Sequence, residues 1–127
     1  MIDPKEWLRQ SEYDFDTAKY MYNGSRFSYT VFMCHLSVEK ALKGLYSQRL
    51  NDIPPKTHNL IYLLGKMNIK PQSGMSRILV KLNEANIAAR YPENLEIVGK
   101  NYTETIVKEL IENTEEALKW IRSLYSK

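Results

Sequence analysis

The sequence predicts an all-α protein, an up-and-down bundle of four long helices plus one short helix, in a single domain over residues 1–127. Three observations carry this. Apolar residues recur at spacings of three and four through most of the chain, the period of one helix face. Prolines and glycines fall between those runs, at Gly24, Pro54, Pro55, Pro71 and Pro92. No stretch of useful length alternates apolar and polar residues as a strand does.

The first helix starts at Asp3-Pro4-Lys5-Glu6, with an N-cap acceptor, proline at the first helical position and an acid in the first turn. Trp7, Leu8, Ser11, Phe15, Ala18, Met21 and Tyr22 form its stripe. Asn23-Gly24-Ser25 stops it, with Gly24 available for a left-handed terminal conformation. So short a connection makes the next helix an antiparallel neighbour.

That second helix, Phe27 to Arg49, is the longest helical pattern free of proline. One face carries Phe27, Val31, Cys34, His35, Val38, Ala41, Leu42 and Leu45. A second row carries Phe32, Leu36, Glu39, Lys43 and Tyr46, leaving a narrow strip of Met33, Ser37, Lys40 and Gly44 for water. A helix so apolar around its circumference is central to a bundle or also meets a partner. Phe32, Leu36 and Tyr46 are therefore the candidate interface of a homodimer.

Asn51 to Thr57 is a clear break, because Pro54 and Pro55 cannot continue a helix. Thr57 is placed to cap a short helix from His58 to Lys66, and Asn68 to Gly74 reads as a loop. A fourth helix runs from about Met75 to Arg90, with Ile78, Leu79, Leu82, Ala85, Asn86 and Ala89 at its apolar positions. Pro92 to Asn101 reads as a polar loop. Thr103 then caps the last helix, where Glu104 suits the first turn. Ile106, Val107, Leu110, Thr114, Ala117, Leu118, Ile121, Leu124 and Tyr125 make its buried stripe.

Composition narrows the function. A chain with 43% hydrophobic and 26% charged residues is globular rather than disordered. No apolar run approaches a membrane span, and charges within Met1–Gln10 leave no secretory core, so a cytoplasmic location is expected. The lone Cys34 excludes an internal disulfide and a cysteine zinc site. A net charge of +3 with interspersed acids is far from the basic stripe of a dedicated nucleic-acid binder.

Gly-rich phosphate loops, GxSxG, HExxH and paired cysteines are all absent. His35 reads as a buried, hydrogen-bonded core histidine. It stands apart in sequence from His58, so no metal site and no cofactor are expected. Three polar clusters remain. Glu39 and Lys43 stand one turn apart and make an ion pair, or part of a phosphate pocket. Lys56-Thr57-His58-Asn59 opens a helix, as a cap or as an anion site. Arg90-Tyr91-Pro92 ends one, with Arg90 suited to the helix terminus or to a phosphate.

The segments FMCHLSVEKALKGLY, PPKTHNLIYLL and AARYP, in this order, resemble the HEPN domain, a small α-helical domain that often accompanies minimal nucleotidyltransferases in prokaryotes. The resemblance implies a bundle of four or five helices that commonly dimerises, and a connection to nucleotides or RNA. The ribonuclease branch of that family uses an arginine followed after four to six residues by a histidine. Arg90 matches the arginine, but Leu95, Glu96 and Ile97 occupy the histidine positions. No catalytic residue is therefore assigned.

The function expected is a non-catalytic binding module. It would form a homodimer that binds a nucleotide or RNA, or pairs with a separately encoded nucleotidyltransferase. Glu39, Lys43, Lys56, His58, Arg90 and Tyr91 form its candidate nucleotide or phosphate site. The alternatives are a degenerate ribonuclease or toxin–antitoxin component, or a purely structural dimer.

Overall fold

The computed structural model describes residues 1–126 and holds six helices. They are α1 (Pro4–Asn23), α2 (Phe27–Leu50), α3 (Leu60–Lys66), α4 (Ser73–Arg90), α5 (Leu95–Asn101) and α6 (Glu104–Leu124). Four are long, as the periodicity predicts. The described residues contain no strand.

Helix α2 touches each of the other five and supplies the centre of the core. Val31, Cys34, Val38, Ala41, Leu42 and Leu45 are fully buried, with Leu60, Leu63 and Leu64 of α3, Leu79 and Leu82 of α4, and Val107, Leu118 and Ile121 of α6 around them. Burying a leucine or isoleucine side chain stabilises by roughly 1.5–3 kcal/mol, so this cluster supplies the main driving force. The same burial pushes the Cys34 thiol up to about 12, which leaves it inert as a nucleophile.

The strip of α2 expected to face water does not. Ser37 and Gly44 are buried, because α1 lies antiparallel along this strip. The Ser11 hydroxyl donates to the Ser37 carbonyl at 2.6 Å, and Lys40 pairs with the buried Asp14 at 2.8 Å. A Cβ at Gly44 would fall 2.6 Å from the Trp7 Cβ and closer still to the Tyr125 hydroxyl. Small residues on the strip let α1 approach closely, so what reads as a solvated strip is a packing face. The row on the other side stays partly open at Phe32, Leu36 and Lys43. Tyr46, grouped with that row as an interface residue, is instead buried in the core cluster.

Several boundaries also differ from the sequence reading. The left-handed residue after α1 is Ser25, with φ 59°, while Gly24 keeps a negative φ. Helix α4 starts at Ser73, two residues earlier than expected. The segment read as a loop after Pro92 contains α5, capped by the Asn94 side chain, which accepts from the Ile97 N–H at 2.8 Å. This helix has seven residues and buries only Val98, too little for a periodic signal. Thr103 caps α6 as expected, accepting from the Ile106 N–H.

Candidate functional site

Glu39 is the hub of the polar site. It lies mid-way along α2 with its side chain 6% exposed, so its carboxylate needs partners from nearby side chains. Lys43, one turn further on, donates to Oε2 at 3.0 Å. His58, carried over α2 by the proline-containing connection, meets Oε1 through Nδ1 at 2.8 Å. His35, one turn before Glu39, places its Nδ1 3.8 Å from the same oxygen. A single carboxylate thus faces a lysine and two imidazoles.

The two histidines differ in setting. His58 is 56% exposed at its side chain, and the bond through Nδ1 leaves Nε2 free. His35 is buried, and desolvation lowers its pKa from the ordinary 6.5. Glu39, Asn83 and a backbone bond to His58 act in the opposite direction. The separation of the histidines in sequence gave no sign of this convergence. Both imidazoles turn Nδ1 toward Glu39, and the described residues hold no group of three placed to bind a metal ion.

The start of α3 is closed to anions. The Asn59 side chain, not Thr57, caps this helix, accepting from the N–H groups of Ile61 and Tyr62 at 3.1 Å each. Leu60 N–H donates to the Asn83 Oδ1 at 3.1 Å, and Asn59 N–H to the Thr57 hydroxyl oxygen at 3.1 Å. The four N–H groups that a helix start leaves unpaired are therefore all taken. Thr57 caps only the turn ahead, accepting from the Asn59 N–H.

Asn83 ties these parts together. Its Oδ1 also lies 3.3 Å from His35 Nε2, and its Nδ2 donates to the Asn59 Oδ1 at 3.0 Å. A cavity of about 300 Å³ opens beside this network, lined by Thr57, His58, Asn59, Asn83, Asn86 and Ile87.

The structure therefore joins Glu39, Lys43 and His58 in one network and leaves the other candidates outside it. Lys56 is exposed next to Thr57. The Arg90 guanidinium stacks on the Phe32 ring, 5.1 Å from its centre, and its Nε is buried without a hydrogen bond. Phe32 precedes Glu39 by two turns of α2, about 10 Å at the helical rise, so Arg90 borders the same row without reaching the hub. Tyr91 follows it, largely exposed. Sequence reasoning placed Asn59 in the cluster at the helix start but gave the cap to Thr57, and it missed Asn83 and Asn86 as site residues. Asparagines at 83 and 86, inside the fourth helix and weak helix formers, were the available signal.

The HEPN domain profile matches residues 4–124. The chain belongs to the HEPN family. Among solved structures, this HEPN chain resembles the archaeal HEPN homologue ST0689, at 24% identity and a TM-score of 0.78 over 97% of this chain and 98% of that one. It also resembles TT1696 from Thermus thermophilus, at 17% identity and a TM-score of 0.81 over 98% of this chain and all of that one. At such identities the likeness establishes a shared helical fold. No curated protein matches the chain.

Proposed function

We propose that this HEPN chain is a non-catalytic binding module that works as a homodimer, holds the phosphates of a nucleotide beside Glu39, and pairs with a separately encoded nucleotidyltransferase. The observation that carries the reading is the fixed placement of Lys43 and His58 by one buried carboxylate. Such pre-orientation lowers the entropy cost of gripping a phosphate. Lys56 and Arg90 add positive charge at the margins, and Tyr91 offers an exposed ring on which a base can stack. Glu39 offsets part of that charge, so affinity is modest and falls as salt rises.

Calorimetric titration with ATP tests this. Replacing His58 with alanine removes one charge-assisted contact, worth about 1.5–3 kcal/mol, or roughly tenfold or more in affinity, while Arg90→Ala at the margin costs less. Absence of nucleotide binding by the folded protein overturns the reading.

A second reading, a degenerate ribonuclease, rests on the Glu39–His58 pair itself, since a carboxylate that orients an imidazole through Nδ1 leaves Nε2 available for proton transfer. Against it stand the lack of a histidine after Arg90 and the distance of Arg90 from the hub.

A further inference from the structure

Three of the six residues lining the cavity beside His58 carry amides, and the carbonyl oxygens of two of them are already bonded. Asn59 accepts from the start of α3 and from Asn83, while Asn83 accepts from Leu60 N–H and donates to Asn59. Asn86 differs. It is 5% exposed, and its carbonyl oxygen is buried with no hydrogen-bond partner. A buried acceptor left unpaired is costly, and asparagine inside a helix adds to that cost, so leucine here would give a more stable bundle. The unpaired donor one turn on, Arg90 Nε, makes no bond to it, so the acceptor is open to a donor brought by a ligand.

The surroundings say what kind of donor. Ile87 is 70% exposed at the same cavity and offers an apolar wall to a flat ring. His58, pinned through Nδ1, presents a second plane of fixed orientation. An amide offers an acceptor and a donor side by side, and adenine's edge answers with its N6 amino donor beside the N7 acceptor. Guanine and hypoxanthine place two acceptors, O6 and N7, along that edge.

We propose that this cavity takes the adenine base of a nucleotide, read by Asn86 with the ring against Ile87 and the phosphates toward His58 and Lys56. This rests on the nucleotide-binding reading above and adds the identity of the base. The amide turns about its last torsion to meet the ring, and α4 supplies the specificity while α2 and the following connection hold the phosphate.

The test is calorimetric titration of the wild-type protein with AMP, IMP and ribose 5-phosphate, repeated on the isosteric Asn86→Leu variant. AMP is expected to bind about tenfold more tightly than IMP, the ratio that one hydrogen bond to a buried group supports. In the variant, AMP and IMP are expected to converge while ribose 5-phosphate binds as before. Equal binding of AMP and IMP by the wild type, with ribose 5-phosphate also bound, overturns the adenine assignment alone. Asn86 then holds a buried water, shared with the unpaired Nε of Arg90 one turn away. Failure of all three ligands to bind the folded protein overturns the nucleotide reading itself. The wild-type comparison decides even if the variant does not fold.

Discussion

Glu39 Oε1 lies 2.8 Å from His58 Nδ1, nineteen residues away across the Pro54-Pro55 connection. This contact joins a buried helix position to a half-exposed loop residue, and it governs both stability and the proposed ligand site.

Glu39→Ala is expected to destabilise by about 3–5 kcal/mol, the cost of removing one partner of a buried pair. Lys43, with its side chain 12% exposed, is left without its anion. Glu39→Gln keeps an acceptor at the same place and costs less. Urea unfolding of both variants checks the order, and equal losses would contradict a role for the charge.

Stability should fall below neutral pH through His35. Its folded pKa is lowered from 6.5, so between the two values the unfolded chain binds more protons than the folded one. The contribution of neutral His35 is complete above about 6.5 and is lost as pH falls through the lower folded value. Unfolding midpoints from pH 8 to pH 5 should therefore drop less in His35→Gln than in the wild type. Parallel curves would show that another group carries the dependence.

Gly44→Ala probes the docking of α1. The new methyl meets Trp7 and the Tyr125 hydroxyl, which itself donates to the Ala41 carbonyl. Overpacking costs about 1–3 kcal/mol, and the gain in helix propensity, about 1 kcal/mol, recovers only part of it. A lower thermal midpoint is expected. Tyr125→Phe removes the hydrogen bond alone and should cost about 1 kcal/mol.

The proposed homodimer is expected to use the open row of α2, where Phe32 and Leu36 are half-buried. Sedimentation should give a dimer at micromolar concentration, and Leu36→Glu a folded monomer. A monomeric wild type would remove this interface.

RNA incubated with rigorously purified protein should stay intact. Leu95, Glu96 and Ile97 hold no imidazole, and burial with a lowered pKa keeps His35 from acting as an acid near neutral pH. Cleavage that disappears in His58→Ala would instead favour the ribonuclease reading.

The helical class, the four long helices and most of their apolar stripes were legible in the chain because each signal is local. Three-four spacing, a capping threonine at 103 and a proline at 92 act on neighbouring residues. Glu39 and Lys43 could be paired for the same reason, being one helical turn apart. Tertiary structure alone decided the rest. The connection laid over α2 brings His58 to Glu39, and it gives the start of α3 to Asn59 and Asn83 rather than to an anion. The docking of α1 turned Ser37 and Gly44 from an expected solvent strip into a buried seam. A side chain's polarity states what partner it needs. Only the packing of distant helices determines which partner it gets, because that depends on how closely two backbones can approach and which row is left uncovered.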